Sequence, residues 1–516
     1  MSKREIDLTI FLENPWKSEH LHCSYSNSFL AFSNMPEYGP SEMLLASLYR
    51  RIGLRQGADS KKRIPESHVG KSGTTLRQNI AKALGKKRLD NLITTEGWQR
   101  IIEDVIRSPK TPKQGKSNFI QTTPIVPSAA IYSMAARLRG NPWNPGALIE
   151  SSLCYGEATE ESANNLWKNL FDALSVKEGE DDGWAVYLEQ EFASWNCFDV
   201  EWVFDRGVNY ESWMGEWQEG GISCPARRFT RDLQHILDAK SYLTRRQWTS
   251  LLEALLRIGL SSHVLWISKV NSEIFAMIDG ILKGGDAPEL EEIASRLSTG
   301  SGYWNYGQLM GKELKKIVRD YVYGRLGLNM VLHRCEGVLS IQQSAPKNPF
   351  SSLKNIQVFL ASIANNREAF GVKVFHNDLH QALESDPRKL SLKEGTGNNM
   401  IEFFRHTLGQ RETQEKGLEG YDQGYFGRRR GGYQRAPLVL EAGPVTILAL
   451  VHACTSDGRG IRTVEDFCNH LGDYGIRISP DEVADSKLGK SLRNLGLVLD
   501  SPDAEGGMVL LNPFKS

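Results

Sequence analysis

Apolar residues recur at three- and four-residue spacing along most of the chain after residue 40, while runs that alternate apolar and polar residues are scarce. That period belongs to helices packed by one face, so a mainly α fold is expected. In GPSEMLLASLYRRIGL, Pro40 and Ser41 open a helix whose apolar stripe runs through Met43, Leu44 and Leu48. TTLRQNIAKALGKKRLDNL repeats the rule, with Leu76, Ile80, Ala83 and Leu84 inward and Arg77 and Lys82 outward. Further helices are expected near 127–138, 158–175, 183–196, 225–238, 245–282, 287–298, 305–332, 350–364, 375–385 and 398–409, with no fixed repeat length. Only the first 35 residues alternate loosely (IDLTIFL, LHCSYS, SFLAFS), and a few N-terminal strands are expected there.

A chain of 516 residues exceeds what one core holds. Composition shifts divide it into an N-terminal basic domain (1–107), a Pro- and Lys-rich linker (108–128), a central helical domain (129–345), a further helical domain (346–419), a basic loop (420–437) and a C-terminal unit (438–516). No apolar run reaches the roughly 18 residues that a membrane span needs. The start, MSKREIDLTIFLENP, turns acidic before a signal-peptide core forms, so a cytoplasmic protein is expected.

The C-terminal unit changes character. GPVTILALVHACTSDG reads as a helix opened by Pro444, RTVEDFCNHLGDYG as a second capped by Thr463, and SPDEVADSKLGKSLRNLGL as a third capped by Ser479 and stopped by Gly496. LVLDSPDAEGGMVLLNPF reads as a hairpin. Three helices followed by a hairpin resembles a winged-helix domain over residues 443–514, and of known domains the resemblance reaches no further. It implies a third helix that reads nucleic acid, with Lys487, Lys490 and Arg493 on one face, or else a domain that docks protein. The acidic residues Asp481, Glu482 and Asp485 fall in the first turn of that expected helix.

Lys+Arg and Asp+Glu balance at 62 each, but the charges are segregated. From Arg50 to Arg88 twelve basic residues meet two acids; from Glu150 to Glu219 seventeen acids meet three basic residues. The first block suits phosphates, and Lys82, Lys86, Lys87 and Arg88 form a candidate surface within it. Within the second, five of the twelve tryptophans fall between Trp184 and Trp217, where they fill a core or dock a protein partner. Either block also reads as a plain solvated face.

Just before the C-terminal unit stands GYDQGYFGRRRGGYQRAP, residues 420–437. Arg428, Arg429, Arg430 and Arg435 offer guanidinium forks to phosphate oxygens, and Tyr425 and Tyr433 offer flat faces to bases. Its glycines suggest a segment that stays mobile until a ligand orders it. The alternative is a linker whose arginines pair with the acidic block.

Catalytic signatures are thin. GKSGTT at 70–75 lacks the glycine that a phosphate loop carries five residues before Gly70, where Pro65 stands. His376, His380 and Glu384 share a helical face, but no second cluster completes a metal site. Seven scattered cysteines form no CxxC pair, against a structural zinc or a redox dithiol. No cofactor is implied. The expectation is a non-enzymatic DNA-binding protein, similar in length and separated charge to accessory subunits of prokaryotic DNA-processing or anti-phage defence assemblies. A protein scaffold and a metal-dependent nuclease are the alternatives.

Overall fold

The helix Arg245–Leu282 runs through the centre of the molecule for 38 residues, about 57 Å at 1.5 Å per residue. Thr244 starts it: its hydroxyl accepts from the Gln247 amide while the Gln247 side chain accepts from the Thr244 amide. A helix apolar on every face has to be enclosed on every face. Helices Ser41–Ile52, Pro145–Gly156, Pro225–Asp238, Met310–Cys335, Leu353–Asn365, Gly395–Leu408 and Pro444–Ser456 all pack on it. By length and composition this helix passes the test for a membrane span, contrary to expectation, yet nearly all of its most apolar stretch is buried within the protein.

The computed structural model describes residues 7–31, 41–56, 124–130, 145–194, 200–211, 221–300, 302–409, 424–430, 437–456, 460–499 and 508–514, with Gly97, Met214 and Trp217. Over these the protein is mainly helical, and the helices expected between 158 and 409 form within a few residues of their predicted bounds. Buried apolar side chains from Phe11 to Leu510 make one contiguous core. The central helix meets Met310–Cys335 most extensively, and a glycine makes the approach possible: a Cβ on Gly327 would lie 2.1 Å from the Phe275 ring.

The N-terminal strands are a correction. Residues 8–13 and 23–26 are helical, with a short 3-10 turn at 18–20. The Asp7 carboxylate accepts from the Ile10 amide at 2.9 Å and caps the first helix. Leu8, Phe11 and Leu12 then fall on one face, with Phe11 buried against the His333 ring at 4.9 Å. The alternation in IDLTIFL was coincidental, because these three residues also satisfy helical spacing.

Among the described residues the strands form four two-stranded pieces. β1 (Leu54–Gln56) runs antiparallel to β2 (Val200–Trp202), and β3 (Trp304–Asn305) parallel to β6 (Ile476–Arg477). β4 (Gly427–Arg429) pairs antiparallel with β5 (Leu438–Leu440), and β7 (Val498–Leu499) with β8 (Val509–Leu510). β1 and β2 join the start of the basic block to the acidic block, and charge follows the pairing. Arg55 binds Asp205 at 2.5 Å, and Arg51 binds the buried Glu150.

In the C-terminal unit, helices Pro444–Ser456 and Val464–Asp473 stand where expected, the second with the Thr463 and Asp466 capping box. The expected third helix is divided. Residues Pro480–Val483 make one turn without a side-chain cap from Ser479, and a new helix, Lys487–Asn494, starts where Ser486 accepts from the amides of Leu488 and Gly489. Gly489 allows the corner, since a Cβ there would meet the Val483 carbonyl at 2.2 Å. Asp481, Glu482 and Asp485 therefore precede the basic helix. The unit is tied to helix Pro225–Asp238 through Asp232, whose carboxylate accepts from Tyr474 and pairs with His470, both at 2.8 Å in the interior.

Burial opposes charge on His470, but the Asp232 carboxylate outweighs it and raises the pKa to about 9. A histidine free in the unfolded chain titrates near ~6.5, so this pair stabilises fully below that pH and its contribution is lost as pH rises through about 9. Thermal melts of the native protein and His470→Gln at both ends of that window are expected to show a wild-type excess in Tm that shrinks toward alkaline pH. An excess that is constant with pH would mean that His470 is neutral in the fold.

Candidate anion-binding site

The basic strand is built into the core by its backbone. Gly424 lies in the left-handed region (φ +63°), and a Cβ there would come 2.9 Å from Ala254 of the central helix. Three residues on, the Arg257 guanidinium, 3% exposed, gathers carbonyls from two segments. Its Nε donates to Thr407, its Nη2 to Gly409 at 3.0 Å, and its Nη1 to Gly424 at 2.7 Å. The Phe426 amide then donates to Leu408 at 2.9 Å, and the Tyr425 carbonyl accepts from the Gly443 amide and the Thr446 hydroxyl. Gly427, Arg428 and Arg429 pair with Leu440, Val439 and Leu438, and the Arg430 amide donates to Pro437. Residues 427–429 are thus a strand paired with β5, and backbone bonds from residues 425 and 426 tie its approach to the core, where a loose basic loop was expected.

That strand, β5 and the first turn of helix Lys487–Asn494 enclose a cavity of about 340 Å³. Its lining is Arg428, Arg429, Arg430, Lys487, Glu441, Val439 and Gly307. Four cations from two separate segments, Arg428–Arg430 and Lys487, line the cavity with one carboxylate. Lys487 Nζ sits 2.8 and 3.1 Å from the two Glu441 oxygens. Glu441 is largely buried, while Lys487 is mostly exposed. No carboxylate among the described residues pairs with Arg428, Arg429 or Arg430. The Nε of Arg429 is buried and has no hydrogen-bond partner. A concave wall of guanidinium donors of this kind recognises oxyanions, phosphate above all.

The other expected contacts distribute differently. Lys490 is exposed but outside the cavity lining. Arg493 is exposed and donates to the Ala484 carbonyl at 2.7 Å, toward its own unit. Tyr425 is half-buried, and its neighbour Phe426 is a core residue in edge contact with Tyr306. Tyr433, Arg435, Lys82, Lys86, Lys87 and Arg88 lie outside the described residues. Glu441, Gly307 and Arg257 escaped sequence reasoning. Each reaches the basic strand through a non-local pairing, and none stands in a motif.

Alternative sites are weaker. His376 binds Asp279 at 3.1 Å, whereas His380 pairs with Glu384 on the surface, so the two histidines do not converge. Among the described residues one group, His22, Cys23 and Glu336, brings metal-ligating atoms within 4.8 Å of one another. There His22 Nδ1 accepts from the Ser24 amide and Nε2 faces Glu336 at 2.7 Å, so both nitrogens are engaged. A larger cavity of about 690 Å³ beside Arg477 sets that cation against two carboxylates, Asp473 and Glu482, and has no excess of positive charge. In the acidic block, Asp181 is buried with Arg245 and Lys240, and Trp217 is a core residue with its indole N–H donating to the Ser351 carbonyl. Trp202 stacks on Phe171. Much of that block therefore serves the interior.

Two substitutions test the architecture of the site. Arg257→Met leaves three carbonyls without their donor and is expected to lower urea stability by roughly 3 kcal/mol or more, with Arg257→Lys unable to restore three divergent bonds. Glu441→Gln removes the internal anion from Lys487 and is expected to tighten binding of inorganic phosphate several-fold at low salt, measured by calorimetry. Unchanged phosphate affinity in Glu441→Gln would show that the cavity does not receive anions. No protein-family model and no curated protein matches the chain, so its function has to be argued from this geometry.

Proposed function

We propose that the protein binds DNA through its phosphates, using the cavity between β4 and helix Lys487–Asn494, with little reading of base sequence. One observation carries this: Arg428, Arg429, Arg430 and Lys487 converge on a single open cavity that holds one carboxylate. Phosphate contacts of this type position a protein on nucleic acid and supply salt-sensitive affinity, whereas base contacts specify sequence.

The C-terminal unit supports the reading as a winged helix. Its helices and hairpin follow in the order of that domain, and the chain entering the second helix meets the hairpin at a single antiparallel bridge, Thr463 to Val509: Leu510 donates to Arg462 at 2.7 Å, and Val464 to Met508 at 2.9 Å. Helix Lys487–Asn494 takes the place of the recognition helix, with Lys490 exposed on it and Lys487 at the cavity. The division after Val483 favours this role, because the acidic turn no longer begins the basic helix.

A docking role has its own support. Leu499 on β7, Leu511 just after β8 and Ile461 just before the bridge to β8 are exposed apolar residues, as a protein-binding wing would carry them. Among the described residues of the acidic block, Trp184, 44% exposed and stacked on Tyr187, is an exposed aromatic to which a protein partner would dock. The fuller reading, an accessory subunit of a DNA-processing or anti-phage assembly, rests on chain length and separated charge.

Gel shifts on duplex and single-stranded DNA across about 50 to 200 mM salt, with and without Mg²⁺, test these readings together. DNA binding predicts affinity that falls steeply with salt, and a slope shallower by about 2 to 3 in the Arg428→Ala, Arg429→Ala, Arg430→Ala triple variant. Retention that ignores both salt and the triple variant would favour the scaffold. Cleavage that requires Mg²⁺ would favour the nuclease.

A further inference from the structure

We infer that the Arg428–Lys487 cavity selects a terminal phosphate, the monoester at the end of a nucleic-acid strand or on a free nucleotide, over the diester links inside a strand. For its nucleic-acid source this rests on the reading above.

Shape is the first argument. The cationic groups line a cavity of about 340 Å³, walled by the β4 and β5 pair, the turn at Gly307 and the first turn of the basic helix. A diester inside a duplex presents two oxygens at a convex surface, with chain leaving on both sides. A terminal phosphate leaves by one side only and can enter a concavity.

Charge is the second. Four cations against Glu441 exceed what the single negative charge of a diester can balance. A monoester carries about −1.5 to −2 at neutral pH and offers three strong acceptor oxygens.

The third argument is competition for Lys487. Its ammonium is held by the Glu441 carboxylate at 2.8 Å. A dianion competes for that ammonium better than a monoanion does.

The experiment uses the full chain and three probes: a short duplex with 5′-phosphates, the same duplex with 5′-hydroxyls, and a nucleoside 5′-monophosphate. Affinities are read by fluorescence competition for the duplexes and by calorimetry for the nucleotide. The phosphorylated duplex is expected to bind about tenfold tighter than the hydroxyl duplex, the worth of roughly one further charge interaction at the site. The advantage is expected to be lost in Arg428→Ala and Arg429→Ala, kept in Lys490→Ala, and reduced as pH falls through the second phosphate ionisation near ~6. Arg428 is exposed, so its variant keeps the test valid if Arg429→Ala fails to fold. Equal affinity for the two duplexes, or an advantage that survives Arg428→Ala, overturns the terminal-phosphate inference and leaves DNA binding standing. Nucleotide binding without duplex binding keeps the pocket and overturns the DNA reading. Binding of none of the three overturns both.

Discussion

A buried guanidinium decides where the basic strand lies. Arg257 belongs to the helix enclosed by the rest of the protein, and its planar fork collects the carbonyls of Thr407, Gly409 and Gly424. A charged group that far from water is tolerated only when its donors are met. The end of helix Gly395–Leu408 and the start of the basic strand therefore cannot drift without exposing that cost. Once Gly424 is held, Phe426 enters the core, and pairing with Leu438–Leu440 follows.

From this anchor the charge pattern takes on meaning. The chain as a whole is neutral, and many of its carboxylates are engaged internally: Glu150 with Arg51, Asp205 with Arg55, Asp181 with Arg245 and Lys240. Folding thus joins the start of the basic block to the acidic block, as the β1 and β2 pair shows. Among the described residues no carboxylate pairs with the guanidiniums of Arg428–Arg430, which line one cavity with Lys487. Local excess of charge, rather than net charge, is what an anionic ligand would meet.

The helices were legible because their information is local: caps such as Thr244, Thr463 and Thr159, and apolar spacing along one face. Legibility failed where two periods fit the same residues, as at Leu8–Glu13, and where one pattern concealed a corner, as at Ala484–Ser486. Of the candidate site, the arginines and Lys487 were legible as cations and their neighbours were not. Glu441 entered from the residue after β5, Gly307 from the turn after β3, and Arg257 from a helix 150 residues earlier than the carbonyl of Thr407 that it binds.

The amino-acid sequence by itself determined a mainly helical protein, the position of most helices and the presence of a cationic run before the C-terminal unit, because spacing and composition act within a few residues. Only the tertiary structure decided that this run is a paired strand, that Lys487 joins it, and that a carboxylate sits among the cations. These depend on backbone bonds and ion pairs between segments far apart in the chain, which no local pattern records.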